Sequence, residues 1–313
     1  HEEGAALFRE GKALLATRGD LRTLALLTQH YASIRQNAGE VRDYLELASE
    51  ATHLADRTDD LTVRAGVRVD LSWGLLLIGR LAESIAMADE GLALVAGGAS
   101  PGVDLFGYSS HFMLTQVPTW AFAQMGRVAE AETRLGAGLR LAREHGPMES
   151  VCWAHAFHYF VADASGDVRR GLSAAQAVLE AAEHSGSPHA LAVAFMSLGM
   201  AHTLGGDWDR AIDAGERGLS MMREKGVTRE FEASVLTTLA RAHLGRGDVM
   251  RAEALADEAV ALARSQGTLA FLCGADVVRA LALIARDGAR AAAEVEPILA
   301  VAEELIAEAG ARI

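Results

Sequence analysis

The sequence predicts an all-α fold, a right-handed α-α superhelix (solenoid) of about seven stacked helical hairpins. Three observations predict it. Glycines recur at a nearly constant interval along most of the 313 residues. The apolar residues between these glycines are spaced as in helices rather than strands. Proline is almost absent from the same segments, where Ala, Leu, Glu and Arg dominate. A period near 40 residues, sustained along a chain, is typical of a solenoid.

The recurring glycines mark the predicted turn of each hairpin. Their spacings are 40, 47, 40, 40, 41 and 41 residues. A left-handed backbone conformation is least unfavourable at glycine, so we expect each one to end the first helix of its hairpin. An Asp follows three of them and can cap the second helix. The turn glycines are Gly39, Gly79, Gly126, Gly166, Gly206, Gly247 and Gly288.

Small residues recur at fixed offsets from the turns. Seven residues before the glycine the residue is often small, as at Ser72 and Gly199, and five after it is usually small, as at Ser84 and Ala211. Tyr44 departs from the second series. Small residues at matched positions allow paired helices to approach closely. Each repeat therefore has room for two closely packed helices of about 16–18 residues.

Two segments resemble the tetratricopeptide repeat at most consensus positions. They are LGMAHTLGGDWDRAIDAGERGL (198–219) and LARAHLGRGDVMRAEALADEAV (239–260). The period exceeds the usual ~34 residues, so extended helices are expected. HEAT and armadillo arrays share a period near 40. Their patterns do not include this Gly-Asp turn with paired small residues, so they rank second.

We expect one continuous solenoid in two parts. Residues 1–96 would form N-terminal repeats, in which residues 2–17 are the second helix of a truncated repeat. Residues 105–313 would form C-terminal repeats. The 47-residue spacing carries the segment VAGGASPGVDLFG, whose Gly, Ser and Pro residues predict an inserted loop, placed at 97–104. Because the chain begins without Met, we expect it to be part of a longer protein.

Composition excludes several classes of partner. The net charge of −13, from 29 Lys and Arg against 42 Asp and Glu, disfavours nucleic acid. No apolar run approaches the roughly 18–20 residues of a membrane span, and the acidic N-terminus is not a signal peptide. Cys152 and Cys273 lie far apart and fit no disulfide or metal framework. A cytoplasmic protein without membrane or nucleic-acid partners is predicted.

No motif predicts catalysis. The segment GAALFREGKA (4–13) fails as a phosphate loop, because its glycines are too far apart and no strand precedes it. His155 and His158 share a helix face beside Cys152, but no acidic third ligand is evident, so packing is favoured over metal binding. No GxSxG, HExxH, paired CxxC or glycine-rich dinucleotide turn occurs. We therefore expect no catalytic residue, cofactor or metal in this chain.

The resemblance implies a concave inner face lined by the first helix of each hairpin. Positions about 13, 10, 6, 3 and 2 residues before each turn glycine would face inward. An apolar wall with a few polar groups suits a peptide or an apolar ligand. Alternatively, a tightly wound superhelix closes this face and its side chains become core. Charged residues discriminate, because they are rarely fully buried unless paired. The candidate groove residues are Trp73, Met113, Gln116, Trp120, Trp153, Phe160, Asp163, Met196, Met200, Thr203 and Arg241.

Residues 190–264 are similar to the repeat regions of bacterial multidomain signalling proteins. Those proteins carry a class III adenylate or guanylate cyclase domain and an AAA-type or signal-transduction ATPase. The segment LFG (105–107) and the closing ELIAEAGARI (304–313) add to the resemblance. It implies a non-catalytic regulatory module that binds a protein, a peptide or a small effector and communicates with upstream domains of the same polypeptide.

Three alternatives stay open. The same repeats are similar to the inducer-sensing arrays of ATP-dependent transcription activators of the maltose-activator type. The array could also be a self-association scaffold without a ligand groove, so an oligomer is compatible with the sequence. A metal-dependent enzyme is the most distant alternative.

Overall fold

A computed structural model describes residues 2–98, 101–145 and 148–310, which form helices and no strands. The predicted all-α superhelix of stacked hairpins is confirmed. The α-helices, in chain order, are α1 (Glu2–Arg18), α2 (Leu21–Asn37), α3 (Val41–Ala55), α4 (Leu61–Leu77), α5 (Leu81–Ala96), α6 (Val103–Phe106), α7 (Ser110–Gln124), α8 (Val128–His145), α9 (Met148–Ala164), α10 (Val168–Ser185), α11 (Pro188–Leu204), α12 (Trp208–Lys225), α13 (Glu232–Arg246), α14 (Val249–Gln266), α15 (Leu269–Asp287) and α16 (Ala292–Ala309).

Each turn glycine joins two long helices that pack against each other. Within the described residues these hairpins are α2/α3, α4/α5, α7/α8, α9/α10, α11/α12, α13/α14 and α15/α16. All seven turn glycines have a positive φ, between 60° and 89°. Gly288 differs in its ψ of −136° and leads into a 3-10 turn, Gly288–Ala291. Each of these glycines thus follows the end of a first helix with a positive φ, and the last hairpin has a variant geometry.

The aspartates after three turn glycines cap the second helices, as predicted. Each carboxylate accepts a hydrogen bond from the backbone N–H three residues further on. The distances are 3.0 Å for Asp167, 3.3 Å for Asp248 and 3.5 Å for Asp207. These contacts satisfy N–H groups that have no partner within the helix.

Small residues allow the close helix approach that the sequence predicts. A Cβ atom at Gly138 would lie 1.3 Å from Nε2 of Gln116 on the partner helix, so any larger residue there would displace this buried side chain. In hairpin α4/α5, Ser72 Oγ donates to the carbonyl of Ser84 at 2.8 Å, and Ser84 Oγ donates to the carbonyl of Ser72 at 2.7 Å. Both serines are fully buried, so these bonds satisfy polar groups within the helix seam.

The superhelix turns back on itself, which the sequence did not predict. Gln36 Nε2 on α2 donates to Glu230 Oε1 at 2.9 Å, across 194 residues of chain. The backbone N–H of Thr228 donates to Oδ1 of Asn37 at 3.2 Å. Helix α4 also contacts α15. The first helices of the N-terminal and C-terminal repeats therefore meet at one centre.

The connection from α12 to α13 makes this closure possible. Thr228 has a φ of 51° and is, among the described residues, the single non-glycine with positive φ. A 3-10 turn, Arg229–Phe231, follows it. Glu230 and Phe231 of this turn are buried, so the connection is part of the interior rather than a surface loop.

The inserted segment between α5 and α7 extends further than the predicted loop. It contains the short helix α6, and α7 begins at Ser110. The predicted boundary between residues 104 and 105 falls within α6. Residues 99 and 100 of the predicted loop lie outside the described residues, as do residues 311–313.

Candidate functional site

Aromatic side chains from five parts of the chain fill the middle of the inner face. We call this set the aromatic core: Trp73, Trp120, Trp153, Phe157, Phe160, Phe231 and Phe271. Trp120 and Phe160 stack with ring centroids 4.5 Å apart and planes 9° apart. The ring of Phe231 lies 5.9 Å from Trp73 and 5.7 Å from Phe271. Phe231, which lies in the α12–α13 connection, therefore links the N-terminal and C-terminal helices. The aromatic side chains fill the middle of the inner face.

The structure places the candidate groove residues in three environments. Six are buried: Trp73, Gln116, Trp120, Phe160, Met196 and Thr203. Met113, Trp153 and Met200 are partly buried, whereas Asp163 and Arg241 are exposed. Trp73, Met113 and Trp153 come together at one cavity. The other candidates do not line it.

Asp163 and Arg241 mark a part of the inner face that water reaches. Tyr159 Oη donates to Asp163 Oδ1 at 3.1 Å. Desolvation by the surrounding protein raises the pKa of Asp163, while the Tyr159 hydrogen bond and the charge of Arg241 act in the opposite direction. The inner face thus combines a dry aromatic centre with a polar, wetted region.

A cavity of about 320 Å³ lies beside the aromatic core. Helices α2, α3, α4, α7, α9 and α11 and the inserted segment all contribute to it. We call it the Asp70 cavity. Its lining consists of Ser33, Gln36, Asn37, Tyr44, Val69, Asp70, Trp73, Phe106, Gly107, Tyr108, Phe112, Met113, Ser150, Trp153 and His189.

Asp70 is a buried carboxylate on α4, only 4% exposed. Its Oδ2 accepts hydrogen bonds from Gln29 Nε2 and Tyr108 Oη, both at 3.0 Å. Its Oδ1 lies 3.3 Å from Tyr44 Oη and 3.5 Å from Ser33 Oγ. Burial raises the pKa of Asp70 to about 6, although these four hydrogen bonds lower it. The donors found for Asp70 in the described part of the chain are all neutral.

The inserted segment forms one wall of the cavity because α4 carries a glycine there. A Cβ atom at Gly66 would lie 2.0 Å from the ring of Phe106, so the ring packs directly against the helix backbone. Phe106 stacks with Tyr108 at a centroid distance of 5.9 Å. This packing holds the Tyr108 hydroxyl on Asp70. The insertion is therefore part of the site and not a peripheral loop.

Glu230 is a second buried carboxylate near the cavity. It is fully buried, and Gln36, which lines the cavity, donates to its Oε1. None of the described residues hydrogen-bonds its Oε2. Burial raises the pKa of Glu230 to about 7. The closure of the superhelix thus places a second acidic group behind the cavity wall.

Sequence reasoning missed Asp70, Tyr44, Tyr108 and Glu230. Two of them depart from the sequence pattern around them and could have been noticed. Asp70 interrupts the otherwise largely apolar segment LTVRAGVRVDLSWGLLL, and Tyr44 replaces a small residue of the repeat pattern. Tyr108 and Glu230 lie in segments with no repeat register, so no pattern could single them out.

Of the two histidines singled out in the sequence, His158 has a hydrogen-bond partner, whereas Nδ1 of His155 is buried without one among the described residues. His158 Nε2 accepts a hydrogen bond from Arg170 Nε at 2.6 Å. Across the described residues, no group of three or more His, Cys, Asp and Glu side chains is arranged to hold a metal ion. Nor does any helix in that part of the chain have the length and apolar composition needed to cross a membrane.

Similar proteins are found by structure and not by sequence. No protein-family model matches the chain, and no curated protein matches it. A Rap protein complexed with competence and sporulation factor superimposes with a TM-score of 0.69 and 16% identity, over 91% of this chain and 76% of that chain.

A second solved structure is a signal transduction ATPase with numerous domains (STAND) and a tetratricopeptide repeat sensor, from Pyrococcus horikoshii. It superimposes with a TM-score of 0.57 and 10% identity, over 98% of this chain. This chain spans 47% of that protein. At these identities the likeness shows the fold alone, a tetratricopeptide-like helical solenoid.

Proposed function

We propose that this chain is a non-catalytic sensor array that binds a small effector or a short peptide in the Asp70 cavity. One observation carries the proposal: a buried carboxylate lines a cavity, and its donors among the described residues are neutral. A buried carboxylate without an opposite charge is unfavourable for folding. Such groups are concentrated at functional sites.

A second polar group supports the same site. The indole N–H of Trp73, whose side chain lines the cavity, is buried and has no hydrogen-bond partner among the described residues. Unpaired buried donors are rare in native proteins. A ligand in the cavity would offer partners to groups that the protein alone leaves unsatisfied.

The position of the cavity suits signal transmission. Its walls come from four repeats, from the inserted segment and from the start of α11. A solenoid deforms mainly by small rotations between repeats. A ligand that touches several repeats at once favours one relative arrangement of them, and so shifts the conformational equilibrium. Gln36 and its bond to Glu230 would extend this effect to the C-terminal repeats.

The two structural neighbours support a receptor role for this fold. The Rap protein is described in complex with a competence and sporulation factor. The repeats of the Pyrococcus protein are described as the sensor of an ATPase. We propose that this array is likewise the regulatory module of a multidomain signalling protein of the cyclase or ATPase type. A cyclase domain in the full-length sequence would agree with this, whereas a C-terminal DNA-binding domain would favour the transcription-activator alternative.

The proposal is tested with a variant that fills the cavity. Ser33→Phe adds a ring at the cavity wall, and Ser220→Phe adds the same ring at an exposed site on α12. Metabolites and short peptides are screened by thermal shift, and hits are titrated by calorimetry. We expect hits to bind the native protein and Ser220→Phe but not Ser33→Phe. Equal binding to a folded Ser33→Phe would place the ligand elsewhere and contradict the proposal.

A further inference from the structure

The charges around the Asp70 cavity are one-sided. None of its described lining residues is Lys or Arg. Asp70 supplies a carboxylate, and Glu230 adds another behind Gln36. Beside these acids, the titratable lining residues are Tyr44, Tyr108 and His189. Like charges in a buried site repel strongly. An anionic ligand is therefore disfavoured here, where it would meet acidic groups without a described basic partner.

Asp70 has capacity for a further donor on one oxygen. Its Oδ2 accepts two hydrogen bonds of ordinary length. The two hydroxyls near Oδ1 lie at 3.3 and 3.5 Å, longer than the ~2.5–3.0 Å typical of O–H···O bonds. The Tyr44 hydroxyl donates over a shorter distance, 2.8 Å, to the backbone carbonyl of Asp70. A charged N–H donor forms shorter and stronger bonds to a carboxylate than these hydroxyls do. Oδ1 is therefore the oxygen at which a hydrogen bond from a ligand would stabilise the complex most.

The walls of the cavity are rich in aromatic rings. Trp73 and Trp153 meet edge to face at 5.7 Å, and Phe106 and Tyr108 form a second pair. Aromatic faces attract cations within about 6 Å, most strongly when water is excluded. A carboxylate set among aromatic rings favours a positively charged group over a neutral or negative one.

From this arrangement we infer that the ligand of the Asp70 cavity carries an ammonium group attached to a small apolar group. The ammonium donates a hydrogen bond to Asp70 Oδ1, and the apolar group packs against the aromatic walls. This inference rests on the proposed function and specifies its ligand class. The cavity volume is at the lower end of the ~300–1,000 Å³ range of ligand pockets. It suits one amine metabolite or the amino terminus of a peptide, which share this chemistry.

Matched ligands test the charge requirement. Primary amines with alkyl or phenyl bodies, such as phenethylamine, are titrated beside the corresponding alcohols and carboxylic acids. A tetrapeptide with a free amino terminus is titrated beside its acetylated form, to separate a small amine from a peptide. We expect each amine that binds to do so about tenfold or more tightly than its alcohol, the difference typical of a hydrogen bond to a charged group.

Two variants assign this preference to the cavity. Asp70→Asn keeps the shape of the side chain and should abolish the preference for amines. Asp213→Asn removes an exposed acid on α12, outside the cavity lining, and should leave it unchanged. If Asp70→Asn does not fold, Ser33→Phe still assigns binding to the cavity, and the comparison of each amine with its alcohol and acid tests the charge requirement.

The outcomes separate this inference from the proposed function. Alcohols or acids that bind as well as amines, and are lost in Ser33→Phe, would overturn the ammonium inference while the proposed site stands. An amine preference that persists in a folded Asp70→Asn would also overturn it. Absence of binding by every class of compound would contradict both.

Discussion

The aromatic core and the Asp70 cavity lie side by side on the inner face, yet they are built from different kinds of position. In the core, Trp73, Trp120 and Phe160 all lie six residues before a turn glycine, so the repeat itself brings them together. Phe231 then closes the space between them.

The cavity is built from departures from the repeat. Tyr44 stands where other repeats have a small residue, Tyr108 belongs to the insertion, and Asp70 is a buried acid on the largely apolar α4. Regular positions therefore provide the packing that stabilises the solenoid. The irregular ones provide polar groups that packing alone does not require, which is why we place the ligand there.

The largest effect is expected from breaking the core at Phe231. Phe231→Ala removes a fully buried ring that contacts both ends of the superhelix. Truncation of a core Phe to Ala typically lowers the free energy of unfolding by about 3–5 kcal/mol. Urea unfolding measures this. Leu281→Ala, at a side chain 44% exposed on α15, should change it by less than about 0.5 kcal/mol. Equal, small effects would mean that Phe231 does not hold the closure together.

The next effect concerns the dependence of stability on pH. In the folded chain the pKa of Asp70 is about 6, against an ordinary value of 3.8. Between these values the folded state binds more protons than the unfolded state, so stability falls as the pH rises. The shift corresponds to roughly 3 kcal/mol of unfolding free energy. Glu230, with a pKa of about 7, adds a fall of the same sign.

Urea unfolding between pH 4 and pH 8 tests this assignment. Asp70→Asn should lose the decrease in unfolding free energy that occurs up to about pH 6, and it should keep the decrease due to Glu230. Asp213→Asn, on an exposed surface of α12, should follow the native curve. If Asp70→Asn also follows the native curve, Asp70 does not titrate as its burial implies.

The sequence could predict whatever depends on neighbouring residues. A glycine after a helix end and an Asp directly before a helix start obey local rules. The turn glycines and the caps at Asp167, Asp207 and Asp248 were therefore predictable. The repeat register likewise selected Trp73 and Trp153 for the inner face.

Closure of the superhelix was not predictable from the sequence, because it depends on contacts between distant segments. Thr228 and Glu230 bond to side chains of α2 more than 190 residues away along the chain. No period specifies how far each repeat rotates on the next. Asp70 was missed for a related reason: its donors come from α2, α3 and the insertion, which meet only in the folded chain.

A smaller effect should follow from moving the insertion alone. Gly66→Ala places a methyl group where the Phe106 ring packs, so the ring and Tyr108 must shift. Overpacking of this kind costs about 1–3 kcal/mol of unfolding free energy, and ligand affinity should fall with it. Gly136→Ala is the matched control, because its Cβ would lie 3.9 Å from the nearest side chain, Arg140. It should stabilise α8 by about 0.5–1 kcal/mol.

Urea unfolding and ligand titration of both glycine variants show whether the insertion forms the binding site or mainly stabilises the fold. Loss of binding in Gly66→Ala with little loss of stability would mean that the insertion mainly forms the site. Loss of stability without loss of binding would contradict its role as a cavity wall.

The smallest effect, on tryptophan accessibility, separates the two regions most directly. Trp120 is buried in the aromatic core, whereas Trp153 is partly exposed at the cavity. Acrylamide quenches only indoles that solvent reaches. Trp153→Phe should therefore lower the quenchable fraction of the emission, and Trp120→Phe should raise it. A bound amine should protect Trp153 and leave Trp120 unaffected. If Trp120 is quenched as readily as Trp153, the inner face is open along its length, and the groove would extend through what we describe as core.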